Sequence, residues 1–311
     1  MKEKKPRKLI AVGLGEVLWD VVTDSDGNVI SRTLGGAPAN FAYHASCAGM
    51  EGVAVSALGM DFDGADAMDA LEEAGIGAVM STAPAPTGVV EARLRADGSV
   101  DYVFPTDTAW DHITFNGQMR QLARQATVVC FGSLAQRSHE SRKAIMAFLD
   151  EARRSDACRM IAFDVNIRPG FSNPSIVYES LRRSDLLKLS DEEIETVLKS
   201  CRLPLRKSAS DNPAEPADPD NLKLLFNIFP TLKYIVLTLG ANGSRVMTRD
   251  GVDLFRPADK VERVVDTIGA GDSFGATFIA QLIAGRPIDE AQRLATQRAA
   301  RVCGSKGAMS V

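Results

Sequence analysis

Two aspartates flank a run of small residues in the stretch DTIGAGDSFGATF, which extends from Asp266 to Phe278 of the 311-residue sequence. Phe274 and Phe278 lie one helical turn apart, and the apolar pattern continues to Ile283, so the stretch predicts a buried helix that begins near Gly271. The first backbone N–H groups of a helix have no intrahelical acceptor and lie at the positive end of its dipole. The small residues at this helix start therefore predict an anion site, and phosphate is the obvious anion.

Asp272 adds a negative charge to this predicted phosphate site, where it would repel a phosphate ligand. A carboxylate in that place can accept the proton of a hydroxyl group that attacks the phosphate, as phosphoryl transfer requires. The alternative is that Asp272 only caps the helix. The residue types of this stretch leave both interpretations open.

Short apolar runs typical of buried strands alternate with stretches that have helical spacing. The predicted strands are Leu9–Gly15, Val53–Leu58, Thr127–Phe131, Met160–Phe163, Leu186–Leu189 and Tyr234–Leu237. The predicted helices are Pro38–Ala48, Ala65–Ala74, Glu140–Arg153 and Leu222–Phe229. This alternation indicates an α/β fold whose mainly parallel sheet is covered on both faces.

Two further segments read as β-hairpins outside this alternation. Gly88–Leu94 and Ser99–Phe104 flank Asp97-Gly98, and Asp26-Gly27 lies within a second such segment. We expect residues of about 17–34 and 86–110 to form a small β-sheet that acts as a lid on a single domain spanning 1–311. The alternative is an extension at the edge of the main sheet.

The composition narrows the class of protein. A net charge of −4 does not favour binding to nucleic acid or to an anionic membrane surface. No apolar run reaches the ~18 residues of a membrane span. The five cysteines are scattered and form no C-x-x-C pair, which argues against disulfides or a zinc site and favours a cytoplasmic location.

Several motifs of the chain resemble those of the ribokinase-like (PfkB-type) carbohydrate kinases. DTIGAGDSF resembles the C-terminal signature of that family, LGGAPAN at Leu34–Asn40 its N-terminal signature, and GLGEVLWD at Gly13–Asp20 the opening strand of its fructokinase branch. Internal family motifs are matched in order by Phe163–Arg168, Lys188–Glu193 and Thr238–Gly243. The resemblance spans about residues 9–310 and implies a three-layer α/β/α domain with a β lid.

The resemblance implies that Asp272 is the catalytic base, which takes a proton from a primary sugar hydroxyl as that hydroxyl attacks the γ-phosphate of ATP. Gly269, Ala270 and Gly271 would form the anion hole with their backbone N–H groups. Such donors are strong in a water-poor site.

Substrate and cofactor residues follow from the same resemblance. Asp20 and Asn40 match sugar-binding positions, Gly35 and Gly36 would let the sugar approach the chain, and Arg168 would meet the substrate or the transferred phosphate. The nucleotide side would comprise Thr238, Gly240, Gly243, Gly304, Gly307 and Ala308. Magnesium would be held through water by Glu193, near Ser190, where many members of the family have asparagine. Some relatives bind a monovalent cation, and here potassium would lie near Asp266 and Ile268.

The implied activity is ATP-dependent phosphorylation of a free monosaccharide, with fructose to fructose 6-phosphate as the first choice. 2-Keto-3-deoxygluconate kinase, ribokinase and nucleoside kinase are alternatives in the same family. A catalytically inactive sugar-binding regulator is an alternative of another class. A dinucleotide-dependent oxidoreductase is disfavoured, because Leu18 stands where the third glycine of G-x-G-x-x-G is required. Lid edges pair between subunits in several relatives, so we also expect a homodimer.

Overall fold

The computed structural model of the protein describes residues 8–95, 100–168, 170–171, 173–205 and 218–309. The predicted turn at Asp97-Gly98 lies outside these residues. Within them, no helix is long and apolar enough to cross a membrane.

A nine-stranded sheet forms the centre of the fold. Its strands, in chain order, are β1 (Ile10–Leu14), β4 (Glu51–Gly59), β5 (Gly77–Ala83), β8 (Val128–Gly132), β9 (Met160–Asp164), β10 (Leu186–Ser190), β11 (Tyr234–Thr238), β12 (Ser244–Thr248) and β13 (Asp253–Arg256). The spatial order is β13-β12-β11-β10-β9-β8-β1-β4-β5. In this spatial order, the seven strands from β11 to β5 are parallel to one another. β12 runs antiparallel to both of its neighbours, β11 and β13.

Helices cover both faces of this sheet. They are α1 (Ala37–Cys47), α2 (Phe62–Glu73), α3 (Gly117–Gln125), α4 (His139–Arg153), α5 (Pro174–Leu181), α6 (Ile194–Ser200), α7 (Leu225–Ile228), α8 (Ala270–Ile283) and α9 (Ile288–Cys303). Side chains along a strand alternate between the faces: Val12 packs into one core cluster with Phe148 of α4, and its neighbour Ala11 packs into another with Phe278 of α8. The three-layer arrangement expected from the sequence is confirmed.

A separate four-stranded sheet lies outside the large one. Its strands are β2 (Leu18–Thr23), β3 (Val29–Gly35), β6 (Gly88–Leu94) and β7 (Val100–Val103), in the order β3-β2-β6-β7. β2 pairs antiparallel with β3 and parallel with β6, and β6 pairs antiparallel with β7. Because no hydrogen-bonded ladder joins this sheet to the large one in the described chain, the alternative of an edge extension is wrong.

Candidate active site

A cavity of about 670 Å³ opens at the edge of the large sheet where β10 and β11 end. This is the edge where open α/β sheets bind their ligands. Thr238, Gly240 and Gly243 line the cavity on one side, and Ala270 and Gly271 of α8 line it on another. The cavity thus brings together five of the residues that the sequence placed near a nucleotide. Three others, Gly304, Gly307 and Ala308, are not among its lining residues.

The backbone before α8 follows a sharp turn at Gly269, whose φ is 78°. A Cβ at this position would overlap the Ala308 side chain, so glycine is required both by the conformation and by the packing. The first i→i−4 bond of the helix is donated by Ser273 N to Gly269 O at 2.8 Å. Ala270 N donates to Thr267 O at 3.2 Å, which leaves the N–H groups of Gly271 and Asp272 without an intrahelical acceptor.

Asp272 lies on this first turn of α8 and contacts the N-terminal half of α1. Its Oδ2 accepts a hydrogen bond from Nδ2 of buried Asn40 at 2.7 Å. The other amide atom of Asn40, Oδ1, is buried and has no hydrogen-bond partner among the described residues. Burial raises the pKa of Asp272, and the charge of Asp164 raises it further, against the opposing effect of Lys188.

Asp20 of β2 faces the same group of charges. Burial raises its pKa to about 6, where Arg168 acts in the opposite direction and Asp272 adds to the increase. A Cβ at Gly35 would overlap the Asp20 carboxylate, and a Cβ at Gly36 would overlap the carbonyl of Glu16. The two glycines are therefore required by contacts within the chain, and their expected role in the approach of the sugar stays a prediction.

Arg168 follows β9 at this edge of the sheet and is exposed. Asn166, which lies between β9 and Arg168, adopts a left-handed conformation with φ of 39°. Asparagine tolerates this conformation better than most residues. The charge of Arg168 lowers the pKa of Glu16, Asp20 and Asp272.

The two carboxylates expected near metal ions both bind backbone amides. Glu193 Oε1 accepts from Ile167 N at 2.6 Å, and its Oε2 accepts from Ser190 N at 2.8 Å. Asp266 Oδ1 accepts from Ile268 N at 2.9 Å, and its Oδ2 accepts from Gly307 N at 3.1 Å. No group of three or more His, Cys, Asp and Glu side chains placed to hold a metal occurs within the described ranges.

Three charged residues of the site lie within the family motifs but had no role predicted from the sequence: Glu16, Asp164 and Lys188. Lys188 Nζ lies 2.8 and 2.7 Å from the two carboxylate oxygens of Asp164, and both side chains are buried. Glu16 is buried too, and its Oε2 has no partner in the described part of the chain. A lysine inside the apolar strand LLKLS is itself a signal, because a buried cation needs an anionic partner.

The fold and the site together define the class of ribokinase-like sugar kinases. The chain belongs to the pfkB family of carbohydrate kinases, since the model of that family matches residues 9–311. It is an ATP-dependent carbohydrate kinase that binds ATP and a sugar.

Relatives agree with this family assignment. The chain is 28% identical over 317 residues to a protein of Arabidopsis thaliana named "Probable fructokinase-2", covering 96% of this chain and 89% of the relative. It is 23% identical over 298 residues to the ATP-dependent 6-phosphofructokinase of Thermoanaerobacterium thermosaccharolyticum, covering 93% and 86%. The crystal structure of a fructokinase with bound ATP from Xylella fastidiosa superposes with a TM-score of 0.77 at 22% identity, covering 98% of this chain and 94% of that one.

Proposed function

We propose that this kinase transfers the γ-phosphoryl group of ATP to a primary hydroxyl of a free monosaccharide, with fructose giving fructose 6-phosphate as the first assignment. The observation that carries the proposal is the position of Asp272 on the first turn of α8, where it follows the cavity-lining residue Gly271 and accepts a hydrogen bond from Asn40. The choice of fructose is supported by the name of the Arabidopsis relative and by the charges around the proposed sugar position, which suit a neutral substrate.

In the proposed reaction, Asp272 accepts the proton of the sugar hydroxyl while the hydroxyl oxygen bonds to the γ-phosphorus. The bond from that phosphorus to the bridging oxygen breaks, and ADP leaves with the electron pair. The N–H groups of Gly271 and Asp272 bind the oxygens of the transferred group. The turn at Gly269 and Ala270 completes this anion hole by directing these N–H groups. A donor of this kind contributes about 3 kcal/mol to the transition state.

The sugar is proposed to bind between the small sheet and α1, where Asp20 accepts from its hydroxyls and Asn40 can both donate and accept. Glu16 and Asp20 place acid groups here, and Arg168 supplies a cation at the rim. This balance favours a neutral polyol over an acidic sugar, because an anionic substrate would face the carboxylates of Asp20 and Asp272. Gly35 and Gly36 keep the sugar-binding segment compact.

ATP is proposed to lie along Thr238, Gly240 and Gly243, with its phosphates directed at α8. Magnesium, when bound with ATP, supplies neutralisation of the phosphate charge. Glu193 fits a role through water, since each of its oxygens already accepts one backbone N–H and keeps a second lone pair. We propose Gly304, Gly307 and Ala308 as the adenine-side loop.

A potassium site is proposed at the backbone carbonyls near Asp266 and Ile268. The carboxylate of Asp266 fits a supporting role there, because it fixes the loop by binding the amides of Ile268 and Gly307.

The small sheet is proposed to act as a lid on the single domain and to form the contact of a homodimer. Its outer strand β3 exposes Val29 and Ile30, which is unusual for a strand edge without a partner. A cytoplasmic location is proposed because none of the five cysteines, all of which lie in the described residues, forms a disulfide.

A panel of acceptors tests the assignment. Fructose, ribose, 2-keto-3-deoxygluconate, adenosine and fructose 6-phosphate are each supplied with ATP and magnesium, and ADP formation is measured. We expect the largest kcat/KM with fructose. If another acceptor is clearly preferred, it replaces fructose as the assigned substrate. If none of the five acceptors yields ADP, the result favours the catalytically inactive sugar-binding regulator.

The role of Asp272 is tested by Asp272→Asn, which keeps the size and the contact to Asn40 but cannot take a proton. We expect kcat to fall at least ~10²-fold, the usual contribution of a general base, while binding of ATP remains. Asp156→Asn, at an exposed position in the loop after α4, is the control. Turnover near the wild-type rate in Asp272→Asn would remove this residue from the mechanism.

A further inference from the structure

Lys188 is a cation in the interior of the large sheet. It lies in the middle of β10, is 9% exposed, and forms two hydrogen bonds to Asp164 at the end of the neighbouring strand β9. A buried ion pair of this kind usually contributes little net stability, because removing both charges from water offsets their attraction. Stability of the sheet is thus a weak explanation for the pair.

The position of Lys188 relative to α8 supplies a better explanation for the buried ion pair. A Cβ at Gly275 would lie 2.9 Å from Lys188 Cδ, and a Cβ at Gly271 would lie 3.5 Å from its Nζ. The lysine side chain therefore runs beneath the first turn of α8 and ends under Gly271. Asp272 is the next residue on that turn.

We propose that Lys188 and Asp164 are positioning residues of the phosphoryl transfer, which act as an opposed charge pair beneath the first turn of α8 and set the proton affinity of Asp272. The proposal rests on the proposed role of Asp272 as the base. Asp164 accepts two hydrogen bonds from the ammonium group of Lys188, and its negative charge repels the carboxylate of Asp272. The positive charge of Lys188 attracts that carboxylate and keeps Asp272 ionised.

The other charged and polar groups that act on Asp272 come from three further segments. Asn40 of α1 donates a hydrogen bond to it, and Arg168, in the loop after β9, lowers its pKa. Glu16 and Asp20 lie close enough for the charge of Asp272 to raise their own pKa values. The effects of Asp164 and Lys188 on the pKa of Asp272 have opposite signs, and that of Asp164 is the larger.

The test compares the pH dependence of kcat in wild type, Lys188→Met and Asp164→Asn, with saturating fructose, or the best acceptor of the panel, and ATP. We expect the acid limb to move to higher pH in Lys188→Met and to lower pH in Asp164→Asn, each by roughly 1 unit, the lower end of the effect of a nearby charge. ATP protonation is common to all variants and cannot produce opposite displacements. Displacements of the same sign, or none, in folded variants overturn the proposal.

A double variant, Lys188→Met with Asp164→Leu, is measured in parallel because it leaves no unpaired buried charge if a single variant fails to fold. Its acid limb should move to lower pH than in wild type, since the larger influence of Asp164 is removed, and an unchanged limb contradicts the proposal. Asp272→Asn separates the two hypotheses: if that variant keeps its activity, the role of the base fails independently of the pair.

Discussion

Glu16 lies between β1 and β2 with 3% of its surface exposed, and its Oε2 has no hydrogen-bond partner in the part of the chain described. Burial raises the pKa of Glu16 to about 7. The charges of Asp272 and Asp164 add to this increase, whereas a hydrogen bond to its own backbone N–H and the charge of Arg168 oppose it. An acid whose pKa is higher in the folded state retains its proton while the unfolded chain loses it. Its contribution to stability therefore falls as the pH rises between about 4.5 and about 7.

Glu16→Gln should remove this pH dependence. Relative to wild type, we expect the free energy of unfolding of the variant to increase from pH 5 to pH 8 by about 3 kcal/mol, at 1.36 kcal/mol per pKa unit. Urea unfolding at the two pH values measures the difference. Glu73→Gln, on the exposed side of α2, controls for the loss of one carboxyl group. A difference that is constant between pH 5 and pH 8 contradicts the assignment of a proton to Glu16.

The positions of the site residues could be predicted from the sequence only where a motif carried them, and their roles stay predictions. The positions of Asp272 and of the small residues before it could be anticipated, because helix starts have known chemistry. The use of the Asp266 carboxylate could not, since its partner Gly307 N is 41 positions away in the chain. The requirement for glycine at position 35 depends on where the Asp20 side chain lies in the fold.

At the scale of elements, α1 joins two parts of the site. Asn40 contacts Asp272, and His44, one turn later, binds the carbonyl of Ala308, which packs against Gly269. Arg298 Nε donates to His44 Nδ1 at 3.1 Å, so the proton of the ring lies on Nε2 and is donated to Ala308 O at 2.8 Å. Burial and the charge of Arg298 lower the pKa of His44 to about 4, which keeps it neutral at physiological pH.

His44→Leu should disturb this connection, because the Ala308 carbonyl would lose its donor in a buried place. We expect a loss of about 1–3 kcal/mol in the free energy of unfolding and a higher KM for ATP, with smaller effects in His44→Gln, whose amide can donate. Thermal unfolding and initial rates measure both quantities. His139→Leu makes the same chemical change at an exposed position. Wild-type values in His44→Leu would show that α1 does not support the turn through this residue.

Element boundaries were predicted well where burial and capping agree. Helix α4 starts one residue before its predicted range and ends with it. Helix α2 begins at Phe62, three residues early, because the side chain of Asp61 accepts from Gly64 N while Phe62 itself is exposed and shows no core pattern. The predicted helix Leu222–Phe229 is a 3₁₀ segment followed by the single turn α7. Apolar spacing does not distinguish these tight turns from an α-helix.

At the scale of the whole molecule, the parallel sheet with two covered faces followed from the alternation of strand and helix patterns. The antiparallel edge formed by β12 and β13 was not anticipated, because the direction of an added edge strand leaves little trace in short runs. The small sheet was expected from its turns, but its parallel β2–β6 pairing joins segments about 70 positions apart and has no local signal.

The outer edges of the two sheets give a test of assembly. Val29 and Ile30 on β3 are 64% and 51% exposed, and Phe255 on β13, the edge of the large sheet, is 61% exposed. If the small sheets pair in a homodimer, Val29→Lys with Ile30→Lys should yield monomers, whereas Phe255→Lys should not. Light scattering or sedimentation measures the mass. A monomeric wild type, or a dimer that persists in the double variant, refutes this interface.

The close approach of Ala308 to Gly269 bears on which substitutions the protein can accept. Because the side chain of Ala308 occupies the place that a Cβ at position 269 would need, neither residue can be enlarged unless the turn ahead of α8 moves. Protein engineers who wish to preserve that turn would therefore keep both small residues and direct their libraries elsewhere.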